Sequence, residues 1–188
     1  MKNLEIERKF SLAGVDIDEV KSLLIKLGFN FIETITITDY FLEPFDSFDL
    51  VRLRNQCGQD KIFFLTLKSW IKSGPNSKER LELEEVLSPN VARVLTQLVL
   101  GDSNVLRYTK TRDVFTNVLS QKTVTVCFDN VLDLGRYSGN YLEIEILAES
   151  VDDIDSATAI IHKLALDLLS DKLQAVELSF SEMLKRAR

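Results

Sequence analysis

Short runs in which charged and apolar side chains alternate recur along most of this 188-residue chain. The first run is Glu5-Ile6-Glu7-Arg8-Lys9-Phe10, within residues 4–11. Similar strand-like runs lie at about 48–56, 61–70, 79–87, 105–116, 122–133 and 140–148, and residues 31–42, rich in β-branched and aromatic side chains, predict a further strand. Because successive side chains point to opposite faces of a strand, a period of two predicts β-strands. The chain therefore contains eight predicted strands, joined mostly by short segments with turn residues.

Four further segments, residues 16–28, 89–99, 152–169 and 175–186, predict helices. The first, for example, has apolar residues at near-helical spacing and ends at Gly28, which suits a helix C-cap. Eight antiparallel strands can close into a barrel, which removes exposed strand edges. We therefore predict one domain over residues 1–188 with an α+β fold, an eight-stranded antiparallel β-barrel with helices packed outside.

The charged face of these strands is predicted to point into the barrel. In the first strand Glu5, Glu7 and Lys9 share one face, and Ile6 and Phe10 share the other. An isolated strand usually turns its charges to water, but the helices need an apolar sheet face on which to pack. The same parity places these further side chains inside: Arg52, Arg54, Lys68, Glu82, Lys110, Arg112, Asp129, Glu143 and Glu145.

An interior with clustered charges of both signs points to a metal and a polyphosphate. Carboxylates bind hard cations such as Mg²⁺ or Mn²⁺ through oxygen, and Arg and Lys bind phosphate oxygens. Such an interior is costly to desolvate unless it is wet or paired with ligand and metal. The alternation alone thus favours a charged chamber over the apolar interior expected of a carrier barrel.

Composition excludes several other classes of function. The formal charge of −6 and the isoelectric point of about 4.9 argue against a general nucleic-acid binder. No apolar run reaches the length of a membrane span. His162 is the only histidine, and Cys57 and Cys127 form no zinc motif, so we expect a cytoplasmic protein with reduced thiols.

Six short motifs in a fixed order carry a family resemblance. They are Glu5-x-Glu7-x-Lys9, Arg52-x-Arg54, Lys68, Arg80-x-Glu82-x-Glu84, Lys110-x-Arg112, and Asp129 followed by Glu143-x-Glu145. In this order the sequence resembles the CYTH superfamily of triphosphate tunnel metalloenzymes, named after class IV adenylate cyclases and thiamine triphosphatases. The resemblance runs over nearly the whole chain and implies an eight-stranded barrel with a hydrophilic tunnel.

The resemblance also implies roles for individual residues. Those expected to bind triphosphate are Lys9, Arg52, Arg54, Lys68, Lys110 and Arg112. Those expected to bind one or two ions of Mg²⁺ or Mn²⁺ are Glu5, Glu7, Glu82, Asp129, Glu143 and Glu145, with Glu84 as second choice to Glu82. Lys68 and Tyr40 are expected to form the catalytic pair that prepares a water, and Lys172 is a candidate tunnel lysine. No role is assigned to Asp39 or Glu43.

The predicted activity is that of a metal-dependent triphosphatase. Its substrate would be a small molecule: thiamine triphosphate, inorganic tripolyphosphate or a nucleoside triphosphate. The alternatives are a class IV adenylate cyclase, which forms cyclic AMP and pyrophosphate, and a non-catalytic polyphosphate-binding module. The Glu5–Phe10 motif and the lack of a His-Phe pair before it favour the triphosphatase, whereas the Ser179–Leu184 ending is similar to cyclase-like members. A homodimer is left open.

Overall fold

The computed structural model describes residues 2–42, 48–58, 60–70, 80–101, 105–148 and 150–187. Residues 73–76, whose Gly-Pro sequence predicts a turn between two strands, lie outside these ranges. The strands in these ranges are β1 (Lys2–Ser11), β2 (Asn30–Leu42), β3 (Leu50–Cys57), β4 (Lys61–Trp70), β5 (Arg80–Val86), β6 (Leu106–Leu119), β7 (Lys122–Leu132) and β8 (Gly139–Ala148). They form a closed barrel in the order β1-β5-β4-β3-β2-β6-β7-β8. Every pairing is antiparallel, which confirms the predicted fold.

Two helices cover the outer face of β1, β7 and β8. They are α1 (Ile17–Lys26) and α3 (Ile154–Leu169). Their buried side chains, such as Leu24 and Ile161, pack on outward residues of the strands, such as Ile6, Val126 and Ile144. The outward parity predicted for these strands is thereby confirmed, and the residues of opposite parity are left to the interior.

Local signals determine where α1 begins and ends. The Asp16 carboxylate accepts hydrogen bonds from the backbone N–H groups of Asp18 and Glu19 and so caps the helix. After the helix, Gly28 adopts a φ of +87°, a left-handed conformation in which glycine is least strained. The chain can therefore turn directly from α1 into β2.

A third helix, α2 (Pro89–Leu100), covers a separate part of the barrel wall. Its Val99 packs with Tyr40 of β2 and Leu53 of β3 in a small apolar cluster on the outer face. Each of these three helices lies within a few residues of its predicted range. None of the helices in the described ranges is long and apolar enough to cross a membrane.

The C-terminal part differs from its prediction. A helix was expected over 175–186, but α4 spans Phe180–Ala187. The preceding residues are held in an extended conformation beside β1: the Ser11 N–H donates to the Gln174 carbonyl at 2.9 Å, and the Val176 N–H donates to the Lys9 carbonyl at 2.8 Å. The Gln174 carbonyl, which would accept the first bond of a helix that begins at residue 175, is thus already bonded to β1.

We expect Ile161→Ala to lower the free energy of unfolding by about 2–4 kcal/mol, because it leaves a cavity between α3 and the barrel. Ile161 is fully buried. Urea unfolding followed by circular dichroism measures the change. Leu166→Ala is the matched control on the same helix, since Leu166 is 43% exposed, and it should cost less than about 1 kcal/mol. Equal losses in the two variants would contradict the packing of α3 described here.

Candidate active site

The barrel encloses a cavity of about 460 Å³. Inward side chains of β1, β2, β3, β4, β5, β6 and β8 line it, together with residues 175–182. All six cations predicted to bind triphosphate line this cavity: Lys9, Arg52, Arg54, Lys68, Lys110 and Arg112. So do five of the six predicted metal-binding acids: Glu5, Glu7, Glu82, Glu143 and Glu145. Strand alternation therefore brings residues from six distant motifs into one chamber.

Three glutamates form an acidic group on neighbouring strands. Glu7 of β1 lies opposite Glu145 of β8 in the strand register, and Glu5 is the next inward residue of β1. Burial, followed by the charges of Glu5 and Glu7, raises the pKa of Glu145 to about 8. Burial and the Glu143 charge raise the pKa of Glu7, and burial raises that of Glu5 despite Lys68. We call Glu5, Glu7 and Glu145 the acidic group.

The acidic group fits a divalent cation in donor type and charge. Carboxylate oxygens are preferred ligands of Mg²⁺ and Mn²⁺. The raised pKa values show that the charged carboxylates are under-compensated, which a bound cation would relieve. As the side chains stand, no three acidic, cysteine or histidine residues of the described ranges converge on a single point. Binding would thus require rotation of these glutamates.

Lys68 joins the acidic group to the cations. Its Nζ donates to Glu5 and lies 2.9 Å from an oxygen of Glu82. Burial by itself lowers the pKa of Lys68, but the charges of Glu5, Glu82 and Glu7 together outweigh this and the net direction is upward. Lys68 is therefore a cation at neutral pH, and it can donate a proton or bind an anion but not act as a base.

Arg52 is held loosely. Its guanidinium donates to the Thr66 hydroxyl at 3.2 Å and lies 3.6 to 3.8 Å from oxygens of Glu82, Glu84 and Asp39. Its buried Nε has no hydrogen-bond partner in the part of the chain that the structure describes. Since a buried, unpaired donor costs free energy, Arg52 is the cation best prepared to accept an oxygen ligand.

Arg54, by contrast, is clamped by Asp39. Arg54 Nε and Nη2 donate to the two oxygens of Asp39 at 2.8 and 2.9 Å, and the Tyr108 hydroxyl donates to the same carboxylate at 3.0 Å. Asp39 is fully buried. Burial alone raises the pKa of Asp39, but the charges of Arg54 and Arg52 outweigh it and hold the pKa below its ordinary range.

A second pair of an arginine with a buried aspartate lies on β6 and β7. Arg112 Nε and Nη2 donate to the two oxygens of Asp129 at 2.6 and 2.7 Å, and Lys110 Nζ donates to the same carboxylate at 2.7 Å. Arg112 also donates to Glu143, which lies 3.1 Å from Lys9 Nζ. Three cations thus surround Glu143 and hold its pKa well below the ordinary value despite burial.

The predicted role of Asp129 as a metal ligand does not agree with this arrangement. Both of its oxygens are bonded to cations, and its side chain does not line the cavity. Asp129 lies opposite Tyr141 in the register, four residues along β8 from Glu145. At about 3.3 Å per residue this separates it from the acidic group by roughly 13 Å along the strand. Asp129 therefore belongs with the cations.

Aromatic side chains form part of the cavity lining. The Phe180 ring, at the start of α4, lies 3.8 Å from Lys9 Nζ and 4.9 Å from Lys110 Nζ. Tyr108 stacks on Phe41 and also contacts Phe180. Ammonium groups are attracted to the faces of aromatic rings, so Phe180 helps to hold both lysines in place.

The predicted pairing of Tyr40 with Lys68 is wrong. Tyr40 packs with Leu53 and Val99 on the outer face and does not line the cavity. Strand β2 turns Ile35 and Ile37 inward, although both are apolar, so its alternation gave no correct indication of the inner face. Tyr108 lines the cavity instead. The sequence indicated this, because Tyr108 has the same parity along its strand as Lys110 and Arg112.

Other candidates are placed as follows. Glu84 lines the cavity and accepts a hydrogen bond from Thr66 at 2.9 Å. Lys172 is exposed and does not line the cavity. Glu43 and the Arg80 side chain lie outside the described parts of the structure. Asp39 was missed because it shares its parity with apolar residues, and its only sequence signal was charge complementarity with the arginines.

We expect Glu145→Gln to stabilise the metal-free protein at alkaline pH. A folded-state pKa of about 8, above the ordinary 4.5, means that folding favours the protonated form, so this residue's contribution to stability is lost as pH rises from about 4.5 to 8. Glutamine carries no charge at any of these pH values, so the variant does not lose this contribution to stability as the pH rises. Urea unfolding at pH 4 should show no difference, and at pH 9 a gain of roughly 1–3 kcal/mol. A gain at pH 4 that vanishes at pH 9 would contradict the raised pKa.

Solved structures resemble the whole chain. The PH1819 protein of Pyrococcus horikoshii OT3 is 28% identical, with a TM-score of 0.72 over 98% of this chain and 99% of that one. The PH1012 protein of the same organism is 23% identical, with a TM-score of 0.68 over 95% and 98%. A candidate adenylate cyclase of Bacillus halodurans is 20% identical, with a TM-score of 0.53 over 86% and 89%. The last two show the fold alone.

A family model gives the assignment. No curated protein sequence matches the chain. The model of the CYTH domain, however, matches residues 3–179, which include every motif from Glu5-x-Glu7-x-Lys9 to Glu143-x-Glu145. The chain belongs to the CYTH domain family.

Proposed function

We propose that this protein is a metal-dependent triphosphatase that releases phosphate from a small-molecule triphosphate: thiamine triphosphate, inorganic tripolyphosphate or a nucleoside triphosphate. One observation carries the proposal: six cations and the acidic group share one cavity of about 460 Å³ inside the barrel. A triphosphate would bind the cations, and a divalent cation would bind the carboxylates. The position of the cavity inside the barrel and the net charge of −6 favour a small molecule over nucleic acid.

The cations would bind the phosphates by exchanging partners. Lys9, Lys68 and Arg52 each have a carboxylate neighbour in the ligand-free protein. A phosphate oxygen can replace that neighbour without leaving the cation unpaired. Arg52 requires the least rearrangement, because its contacts are long and its Nε is free in the described structure.

The acidic group would hold Mg²⁺ or Mn²⁺. When bound there, such an ion neutralises phosphate charge and polarises the phosphorus–oxygen bonds. The proton of the attacking water then needs an acceptor. Because the pKa of Lys68 is raised, a cavity carboxylate that does not hold the metal would be a better acceptor than Lys68.

A class IV adenylate cyclase is the second candidate. The neighbouring aromatic rings of Phe41, Tyr108 and Phe180 line part of the cavity and offer a surface against which an adenine could lie. In that reaction the ribose 3′-hydroxyl attacks the α-phosphorus and pyrophosphate leaves. Hydrolysis requires a triphosphate and a water only, and so makes fewer demands on the site.

One set of assays separates these activities. The purified protein is incubated with Mg²⁺ or Mn²⁺ and with ATP, tripolyphosphate or thiamine triphosphate in turn. Release of phosphate without cyclic AMP supports the triphosphatase. Formation of cyclic AMP and pyrophosphate establishes the cyclase instead, and binding of tripolyphosphate without turnover of any substrate indicates a binding module.

We expect Glu7→Gln to reduce metal-dependent turnover by about 100-fold or more, because it removes a carboxylate from the proposed metal site. Phosphate release at saturating Mg²⁺ measures the loss, and circular dichroism checks that the barrel remains folded. Glu85→Gln is the control: Glu85 is exposed on β5, next to the inward Glu84, and its loss should leave turnover unchanged. Wild-type turnover in Glu7→Gln would refute the proposed metal site.

A further inference from the structure

Two buried ion pairs in the barrel wall share the same geometry. In each, one aspartate accepts hydrogen bonds from Nε and Nη2 of one arginine, side-on: Asp39 with Arg54 and Asp129 with Arg112. Each aspartate receives one further bond, from the Tyr108 hydroxyl or from Lys110 Nζ. The arginine in each pair is thus fixed in position by a carboxylate that is itself fixed.

The aspartates lie behind their arginines. Arg54 and Arg112 both line the cavity, whereas neither Asp39 nor Asp129 does. Asp39 is 0% exposed and Asp129 is 1% exposed. A metal ligand or a group that contacts substrate would have to reach the cavity. These two carboxylates face the arginines instead.

The side-on bonds leave the Nη1/Nη2 edge of Arg54 available, whereas at Arg112 the second Nη2 N–H donates to Glu143, which a phosphate would have to replace. The bonds to the aspartates use Nε and Nη2, and Nη1 of neither arginine has a hydrogen-bond partner in the described structure. A guanidinium binds phosphate through a pair of adjacent N–H groups. An arginine that is already held in place loses less side-chain entropy when the phosphate binds.

We propose that Asp39 and Asp129 are positioning residues, each of which holds one arginine side-on so that its Nη1 edge is presented to a phosphate of the substrate. This inference rests on the proposed function and adds Asp39 to the site. It also removes Asp129 from the metal ligands. Arg54 and Arg112 become the rigid phosphate-binding groups, and the loosely held Arg52 becomes the adaptable one.

The sign of the change in affinity for tripolyphosphate tests the proposal. Removing a negative charge near the cavity would by electrostatics alone strengthen the binding of an anion. Loss of positioning instead weakens it. We expect Asp39→Asn and Asp129→Asn each to raise the dissociation constant of tripolyphosphate by about tenfold or more in titration calorimetry, the effect of misplacing one charged hydrogen-bond donor. Unchanged or tighter binding would overturn the proposal.

A double-mutant cycle shows whether Asp39 acts through Arg54. If it does, the variant with both Asp39→Asn and Arg54→Gln should bind tripolyphosphate as Arg54→Gln does, within about twofold. The double variant also removes both buried charges, so it serves where Asp39→Asn alone fails to fold. A further loss of affinity in the double variant would show that Asp39 has a separate role.

The matched control is Asp113→Asn. Asp113 pairs with Lys21 and Thr34 on the outer surface of the barrel, and its loss should leave tripolyphosphate affinity unchanged. Mn²⁺ binding, followed by electron paramagnetic resonance, separates the two roles considered for Asp129. Asp129→Asn should keep the Mn²⁺ affinity of the wild type, and a large loss would make it a metal ligand.

A spectroscopic readout is independent of any ligand. In ¹⁵N spectra of the wild type we expect two slowly exchanging arginine Nε–H signals, one lost in Arg54→Gln and the other in Arg112→Gln. Asp39→Asn should remove the protection of the first and Asp129→Asn that of the second. If the wild type binds no tripolyphosphate, the proposed function fails for this ligand. The spectra then test only whether Asp39 holds Arg54 and Asp129 holds Arg112 in position. Protection that persists in both asparagine variants overturns the proposed positioning.

Discussion

The pairing of β1 with β8 closes the sheet, and this closure is the constraint on which the rest of the structure depends. In a closed sheet one face of every strand is outside and the other is confined. Because α1, α2 and α3 require an apolar surface, the confined face receives the charged residues. Confined charges are poorly hydrated, so each must be compensated by a neighbour or by a ligand.

The compensation inside the barrel is unequal, and the inequality suggests how the site works. Arg54 and Arg112 are paired closely with buried aspartates, whereas Arg52 has only long contacts and an unbonded Nε in the described structure. On the other side of the cavity the acidic group has too few cations, as the raised pKa of Glu145 shows. An anion bound at Arg52 and a divalent cation bound at the acidic group would correct both deficits.

Much of the fold and of the cavity lining could be predicted from the alternation of residues, because β1, β3 and β8 each have one charged and one largely apolar face. The prediction failed at β2, where Ile35 and Ile37 point inward and Asp39 shares their face. Alternation therefore did not reveal that Asp39 points inward, nor that Tyr40, paired with Lys68 by the family resemblance, points outward. It also failed before α4, where backbone bonds to β1 hold residues 174–176 extended. Both failures involve contacts between distant segments, which periodicity does not report.

The amino-acid sequence by itself determined the strands, the closed barrel, the family and the set of charged side chains that share the interior. It could do so because parity within one strand is a local property. Only the tertiary structure decided which of those charges are partners. Asp129 came to lie with Arg112 and Lys110 instead of with the glutamates, and Phe180 came from the far end of the chain to contact Lys9. Partnership depends on the register between strands and on the docking of α4, and both arise only when distant parts of the chain meet.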